Sequence, residues 1–170
     1  IQVYTGEGKG KTTAALGLAL RASGAGLKVY IGQFVKGRCY SEVKALKQIN
    51  QITLEQCGRS CFIRSKPKQE DFFCAKTGWE RVKKVIASGK YQLIILDEIL
   101  IALHFKLLDK SEVLKLLKKI PKKTEIILTG RYAPPEILKL ADLVSEIKEV
   151  KHYFKKGIKA RRHYIKVCQA

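Results

Sequence analysis

Short apolar runs alternate with amphipathic segments along the chain, which is the order expected when each strand is followed by a helix. The pattern predicts strands at residues 1–5, 27–35, 52–55, 91–98, 125–129, 143–150 and 162–167. It predicts helices at residues 11–23, 41–49, 69–88, 99–105 and 111–119, and one more that begins at Pro134-Pro135-Glu136. The run at 91–98 is the strongest strand signal, because continuous apolar residues are typical of a strand buried on both faces.

This repeated order determines the fold class that we expect. Parallel strands need crossover connections, and helices on the two faces of a sheet provide them. We therefore predict an α/β fold with a mostly parallel sheet flanked by helices on both faces. The 170 residues suit one domain with a sizeable core, and no repeat or linker divides them, so residues 1–170 are predicted to form a single domain. Residues 58–68 are basic and turn-rich and are predicted to form an exposed loop.

A glycine-rich segment joins the first predicted strand to the first predicted helix, and it reads Thr5-Gly6-Glu7-Gly8-Lys9-Gly10-Lys11-Thr12-Thr13. Such a segment binds phosphate, because its backbone N–H groups and the N-terminal end of the helix face the same anion. Lys9 and Lys11 supply positive charge, and the Thr12 hydroxyl is a ligand for Mg²⁺. The standard pattern has glycine where Thr5 stands, so Gly6 is the nearest substitute. The segment predicts a nucleoside triphosphate site.

The other residues of this segment have narrower predicted roles. Gly6, Gly8 and Gly10 allow close approach of the backbone to phosphate. The hydroxyl of Thr13 is the next one on the helix and is a second candidate contact to phosphate.

Two adjacent carboxylates, Asp97 and Glu98, end the strongest predicted strand. The carboxyl ends of parallel strands form the ligand-binding edge of such a sheet. A carboxylate there can hold Mg²⁺ directly or through water, and both residues remain candidates. Two arginines are candidates by position: Arg131 follows a predicted strand at the same edge, where it could clamp a polyphosphate, and Arg21 lies nine residues after Thr12 on the first helix.

Composition changes this interpretation little. The net charge of +19 would favour binding to a polyanion. However, the lysines are spread over predicted helices and loops without interleaved aromatic residues, as at Lys115, Lys118, Lys119, Lys66, Lys68, Lys122 and Lys123. We therefore expect solvated faces, consider nucleic acid an unlikely partner, and note that a basic protein also suits an anionic small-molecule substrate.

The cellular location follows from what the sequence contains. No apolar run reaches the roughly 20 residues of a spanning helix, and no signal peptide is recognised. The five cysteines form no CxxC pair and are expected to be reduced thiols. We therefore expect a cytoplasmic protein that does not bind membranes.

Several motifs together carry a family resemblance, and they cover most of the chain. They are Tyr4–Gly17 with its glycine-rich segment, Arg21-Ala22-Ser23-Gly24-Ala25-Gly26, Gln33-Phe34-Val35-Lys36-Gly37, Leu96-Asp97-Glu98-Ile99, Leu128-Thr129-Gly130-Arg131, and Ala141-Asp142-Leu143-Val144-Ser145-Glu146 with Lys151-His152. With these motifs the chain resembles the P-loop ATP:corrinoid adenosyltransferases, and the late first glycine is a mark of that family.

The resemblance implies a RecA-like P-loop fold and a particular reaction. Members transfer the 5′-deoxyadenosyl group of ATP to Co(I) of a reduced corrinoid and release tripolyphosphate. By this resemblance Lys11, Thr12, Arg21 and Mg²⁺ stabilise the leaving tripolyphosphate, while Glu7 and Lys9 lie beside the nucleotide. It also implies a homodimer and an electron donor such as a flavodoxin or reduced flavin.

The family also uses an aromatic wall that displaces the lower ligand of cobalt. The matching segment is residues 58–64, in which Phe62 is the best candidate for contact with the corrin. Some relatives have a second aromatic residue two positions later, where this chain has Arg64. Phe72, Phe73 and Trp79 are alternatives, although each is more typical of a helix core.

Two other functions compete with this one. The charge and the Asp97-Glu98 pair also suit a small RecA-like ATPase that acts on nucleic acid, in which Glu98 would activate the attacking water. A nucleotide kinase is the weaker alternative, because no lid-like arginine cluster is evident.

Overall fold

A computed structural model describes residues 1–37, 40–58, 66–152 and 156–157 of the chain. The described part contains one six-stranded sheet. Its strands are β1 (Gln2–Thr5), β2 (Val29–Phe34), β3 (Ile52–Cys57), β4 (Leu93–Asp97), β5 (Glu125–Thr129) and β6 (Leu143–Glu146). The helices are α1 (Lys11–Gly24), α2 (Ser41–Leu46), α3 (Gln69–Ala87), α4 (Ile99–His104), α5 (Lys110–Leu117) and α6 (Pro135–Leu140).

All neighbouring strands pair in parallel, and their order across the sheet is β3-β2-β4-β5-β1-β6. Strand β1 therefore lies between β5 and β6, with Val3 opposite Leu128 on one side and Val144 on the other. The carboxyl ends of β1, β2, β4 and β5 consequently meet at one edge. The predicted α/β fold with a parallel sheet is confirmed, as is its RecA-like P-loop class.

Apolar packing on the two faces explains why the central strands are continuously hydrophobic. One core cluster contains Trp79 of α3 and Leu100 of α4, and the other contains Ala15 and Ala19 of α1. All residues of β2 and β4 are buried, as a strand with helices on both faces requires. The side chains of β6 are exposed, because this short strand is the last one of the sheet.

The predicted boundaries agree with these elements to within a few residues, and most differences lie at strand ends. The strand predicted at 91–98 is shorter, because Glu98 has a left-handed backbone with φ of 60° that ends the ladder. The strand predicted at 143–150 ends at Glu146, so the prediction for 147–150 was wrong. The strand predicted at 162–167 lies outside the described residues.

Surface features agree with the composition argument. The seven lysines taken as examples of solvated faces are all exposed. No helix among the described residues is long and apolar enough to span a membrane. Cys57 and Cys74 are free thiols, and burial raises the pKa of the Cys57 thiol to about 11.

Two helical glycines provide a matched test of packing. A Cβ on Gly78 in α3 would lie 2.3 Å from Cys57 Cβ, whereas a Cβ on Gly17 in α1 would meet nothing within 4 Å. Alanine in a helix is favoured over glycine by about 1 kcal/mol, and forcing an atom into a packed core costs about 1–3 kcal/mol. We expect Gly17→Ala to raise the free energy of unfolding in urea and Gly78→Ala to lower it. Stabilisation by both substitutions would show that α3 and β3 can move apart without cost.

Candidate functional site

The glycine-rich segment lies between β1 and α1, where the sequence predicted it. Its Lys11 side chain is buried, and the Lys11 ammonium donates hydrogen bonds to the carbonyl oxygens of Gly6 at 2.6 Å and Gly8 at 2.7 Å. Gly6 and Gly10 have positive φ of 99° and 130°, which favour glycine. The loop therefore curves around its own lysine, and the charge of that lysine is held at the start of α1.

A segment after β6 supports this loop, and the sequence did not indicate it. The N–H of Ile147 donates to the carbonyl of Thr5 at 2.8 Å, and the N–H of Gly8 donates to the carbonyl of Ile147 at 2.7 Å. A Cβ on Gly6 or Gly8 would lie 2.5 Å or 2.7 Å from that same carbonyl oxygen. These two glycines are therefore required by packing against the chain itself, in addition to their predicted approach to phosphate.

Asp97 is the centre of the polar network at the carboxyl edge of the sheet. Its side chain is fully buried and accepts hydrogen bonds from four side chains. The donors are the Thr12 hydroxyl at 2.8 Å, the Thr129 hydroxyl at 2.7 Å, the Gln33 amide at 3.1 Å and the Lys36 ammonium at 2.7 Å. Strands β2, β4 and β5 and helix α1 thus converge on one carboxylate.

Lys36, two residues after the end of β2, connects the three predicted metal ligands. Its ammonium is 2.9 Å from the Thr12 hydroxyl oxygen, 2.7 Å from Asp97 Oδ2 and 3.5 Å from Glu98 Oε1. The Lys36 side chain is only 10% exposed, whereas the Glu98 side chain is 23% exposed. The structure therefore brings together the hydroxyl and both carboxylates that the sequence proposed, and a cation lies among them.

The two neighbouring carboxyl groups have opposite pKa shifts. Burial alone would raise the pKa of Asp97, but the Lys36 charge and the hydrogen bonds from Lys36, Thr129 and Thr12 outweigh it, so its pKa is lowered. The pKa of Glu98 is raised, because burial and the negative charge of Asp97 outweigh the attraction of Lys36. Asp97 is therefore the more acidic member of the pair.

The oxygen atoms around Lys36 suit a magnesium ion. Mg²⁺ prefers hydroxyl and carboxylate oxygens and usually takes one or two carboxylates together with phosphate oxygens and water. Thr12, Asp97 and Glu98 offer such a set, and a cation already occupies the space between them. No group of three or more His, Cys, Asp or Glu that could hold a metal occurs in the described ranges, so a cage formed by protein alone is not found there.

The predicted arginines lie in different places. Arg131 reaches the glycine-rich loop, with its guanidinium 3.2 Å from the Glu7 carboxylate and donating to the Glu7 carbonyl at 3.2 Å. Arg21 is exposed in the last turn of α1, roughly 14 Å along the axis from Thr12 at about 1.5 Å per residue. Lys9 and Thr13 are exposed at the loop and first helical turn. The roles of all four remain predictions.

The aromatic residues that are candidates for contact with the corrin differ in how deeply they are buried. Phe62 lies outside the described residues, so its role stays a prediction. Trp79 is in the core, as expected, and Phe72 packs partly against the same cluster. The core interpretation is wrong for Phe73, whose side chain is 72% exposed.

Sequence reasoning missed three side chains that contact the site: Gln33, Lys36 and Thr129. A usable signal existed for Gln33 and Thr129, because each lies within a strand that reaches the carboxyl edge, whereas Lys36 lies two residues after the end of β2. Gln33 and Thr129 are fully buried polar residues within strands, a placement that requires hydrogen-bond partners.

Comparisons with known proteins identify a family. Residues 1–163 match the family described as ATP:corrinoid adenosyltransferase BtuR/CobO/CobP. The chain is 35% identical over 161 residues to the corrinoid adenosyltransferase of Escherichia coli (strain K12), covering 95% of this chain and 82% of that protein. It is 34% identical over 161 residues to the corrinoid adenosyltransferase CobA of Salmonella typhimurium, with the same coverage.

A protein of Nostoc sp. without an assigned activity is 39% identical over 176 residues. That match covers 95% of this chain but only 47% of the Nostoc protein, so the chain spans about half the length of that relative.

Proposed function

The chain belongs to the ATP:corrinoid adenosyltransferase family, and from this premise we propose that it transfers the 5′-deoxyadenosyl group of ATP to Co(I) of a corrinoid. In this reaction the Co(I) electron pair attacks the ribose 5′ carbon, the cobalt–carbon bond forms, and the bond to the triphosphate oxygen breaks. The single observation that supports this proposal best is the family match over residues 1–163, which includes the glycine-rich loop and the Asp97 site.

The leaving group explains what the loop residues do. Tripolyphosphate carries several negative charges, so its departure requires positive charge and hydrogen-bond donors that are already in place. The Lys11 ammonium is held by the carbonyls of Gly6 and Gly8 and can turn to phosphate oxygens without moving its backbone. Arg131 is next to the same loop through Glu7. We assign these two side chains, with Lys9 and Arg21 as further candidates, to the triphosphate.

Thr12, Asp97 and Glu98 are proposed to hold Mg²⁺ in the ATP complex. When bound, Mg²⁺ would supply charge neutralisation to the triphosphate oxygens. The four hydrogen bonds to Asp97 orient its carboxylate, so its position is prepared before ligands arrive. Protein nucleophiles are not required, because the attacking atom belongs to the substrate.

The remaining proposals concern partners and location, of which the dimer and the electron donor rest on the family resemblance and the location rests on the sequence. They are a homodimer, a cytoplasmic location, and an electron donor such as a flavodoxin or reduced flavin. Light scattering coupled to size-exclusion chromatography would measure the mass in solution, and a monomeric mass at micromolar concentration would contradict the dimer.

A single incubation tests the function. The protein is mixed with Mg²⁺, ATP and chemically reduced cobalamin, and the corrin spectrum and phosphate product are followed. We expect a light-sensitive alkylcobalt product together with tripolyphosphate. Release of ADP and phosphate that is stimulated by DNA and indifferent to corrinoid would instead identify the nucleic-acid ATPase.

Phe62→Ala tests the aromatic wall. We expect it to slow adenosylation coupled to reduction of Co(II) at least tenfold and to affect the reaction started from Co(I) much less. The reason is that removing the lower ligand assists only the reduction. Phe73→Ala, at the exposed alternative candidate on α3, is measured beside it, and a selective loss there instead would transfer the lower-face role to Phe73. Equal losses in both assays would argue against a lower-face role for Phe62.

A further inference from the structure

Lys36 has a position that the proposed reaction does not explain. Its ammonium contacts Thr12, Asp97 and Glu98, which are the three side chains proposed to hold Mg²⁺. Mg²⁺ requires oxygen ligands at about 2.0–2.1 Å in near-octahedral geometry. An ammonium group that bonds the same oxygens at 2.7 Å and 2.9 Å occupies the space that the metal needs. Both cations cannot be there together.

Two features of the backbone hold Lys36 in this position. Val35, the residue before it, has a positive φ of 57°, which is an unfavourable conformation for a β-branched residue. The backbone of Gly58 packs so closely that a Cβ there would lie 2.3 Å from the Lys36 backbone nitrogen. A strained residue and a close backbone contact thus direct a largely buried side chain inwards. An ordinary surface lysine would require neither feature.

We propose that Lys36 is an internal substitute for the magnesium ion, which keeps divalent metal out of the nucleotide-free site and leaves when Mg²⁺ arrives with the triphosphate. The inference rests on the proposed Mg²⁺ site. A triphosphate brings enough negative charge to stabilise both the metal and the displaced ammonium, whereas free metal brings none. Metal loading is therefore coupled to nucleotide loading, and the buried Asp97 carboxylate has a positive partner in either state.

Metal binding without nucleotide tests this directly. Mn²⁺ serves as the probe, and its free ion is followed by electron paramagnetic resonance during titration of the nucleotide-free protein. We expect the parent to bind Mn²⁺ weakly and Lys36→Met to bind one Mn²⁺ at least tenfold more tightly. Lys36→Arg keeps the charge and should still exclude the metal. Lys84→Met removes an exposed lysine of α3 and should behave like the parent.

Thermal unfolding gives a second measurement that does not depend on turnover. Mg²⁺ alone should leave the Tm of the parent unchanged, and Mg²⁺ with ATP should raise it. For Lys36→Met, Mg²⁺ alone should raise the Tm. If Lys36→Met does not fold by circular dichroism, Lys36→Gln removes the charge but keeps a hydrogen-bonding group. The Mn²⁺ titration of the parent protein tests the proposal without any variant, because tight Mn²⁺ binding in the absence of nucleotide would overturn it.

A folded, uncharged variant that gains no Mn²⁺ affinity would also overturn it. Adenosyl transfer by the parent is measured separately, so the two proposals can fail independently. Transfer without the gain in Mn²⁺ affinity would leave the proposed function intact and remove the role of Lys36. A gain in Mn²⁺ affinity without adenosyl transfer would support the role of Lys36 and contradict the proposed function.

Discussion

Replacing Lys11 with alanine is expected to lower kcat/KM for adenosyl transfer about a thousandfold or more, which corresponds to about 4 kcal/mol of lost transition-state stabilisation. The Lys11 ammonium is buried inside the loop by the carbonyls of Gly6 and Gly8, so its charge lies where a leaving triphosphate would be bound. Lys9, the other lysine of the segment, is exposed.

The measurement starts from chemically reduced cobalamin with saturating Mg²⁺ and ATP, so that reduction of cobalt does not limit the rate. Circular dichroism and the urea midpoint establish that the variant is folded. Lys84→Ala, on the exposed face of α3, controls for loss of one charge from a protein of net charge +19 and should retain the parent rate. A Lys11→Ala rate within tenfold of the parent would refute the assignment of the loop.

The second large effect is expected for Asp97→Asn, in both stability and activity. The carboxylate accepts four hydrogen bonds, and an amide can accept at only one of its two ends, so one amide NH₂ would face existing donors. Breaking a buried ion pair costs about 3–5 kcal/mol because one charge is left uncompensated. We expect the free energy of unfolding in urea to fall by about 3 kcal/mol, and adenosyl transfer to fall at least about a hundredfold through loss of the metal ligand.

Glu98→Gln is the matched control for the loss of stability. Burial and the neighbouring Asp97 charge raise the pKa of Glu98, so folding disfavours its charged form and replacing it with a neutral amide should cost less than about 1 kcal/mol. The pH dependence supplies an independent check. Because the folded pKa of Asp97 is lowered, its stabilisation is present above the unfolded value of about 3.9 and is lost as the pH falls through the folded value. Asp97→Asn should therefore lack this part of the acid sensitivity, and equal sensitivity would contradict the assignment.

Local pattern was sufficient to predict the fold, because the central strands have helices on both faces and are largely apolar as a result. The position of β1 between β5 and β6 was not predictable in the same way, since strand order depends on pairing between distant segments. The end of β6 was also misplaced. Apolar residues recur as far as Val150, but the strand ends at Glu146 and the backbone of Ile147 hydrogen-bonds with the glycine-rich segment.

In the candidate site, too, some residues could be predicted from the local sequence and others depend on contacts between distant segments. Lys11, Thr12, Asp97 and Glu98 could be proposed because their residue types and spacing indicate phosphate and metal binding by themselves. Lys36 could not, since a lysine after a strand is usually a surface residue. Its inward direction depends on the conformation of Val35 and on contact with Gly58, which is 22 positions further along the chain.

The sheet order also has a consequence for biosynthesis. Strands β2, β3 and β4 are neighbours in the sheet and lie within residues 29–97, so they can pair while the chain is still on the ribosome. Strand β1 is synthesised before them, but both of its hydrogen-bonding partners, β5 and β6, are synthesised last. Non-local pairing of this kind is slow, and β1 must wait unpaired until β5 has emerged at residue 129, while its second partner is complete only at residue 146. Nucleotide binding therefore cannot precede the synthesis of β5.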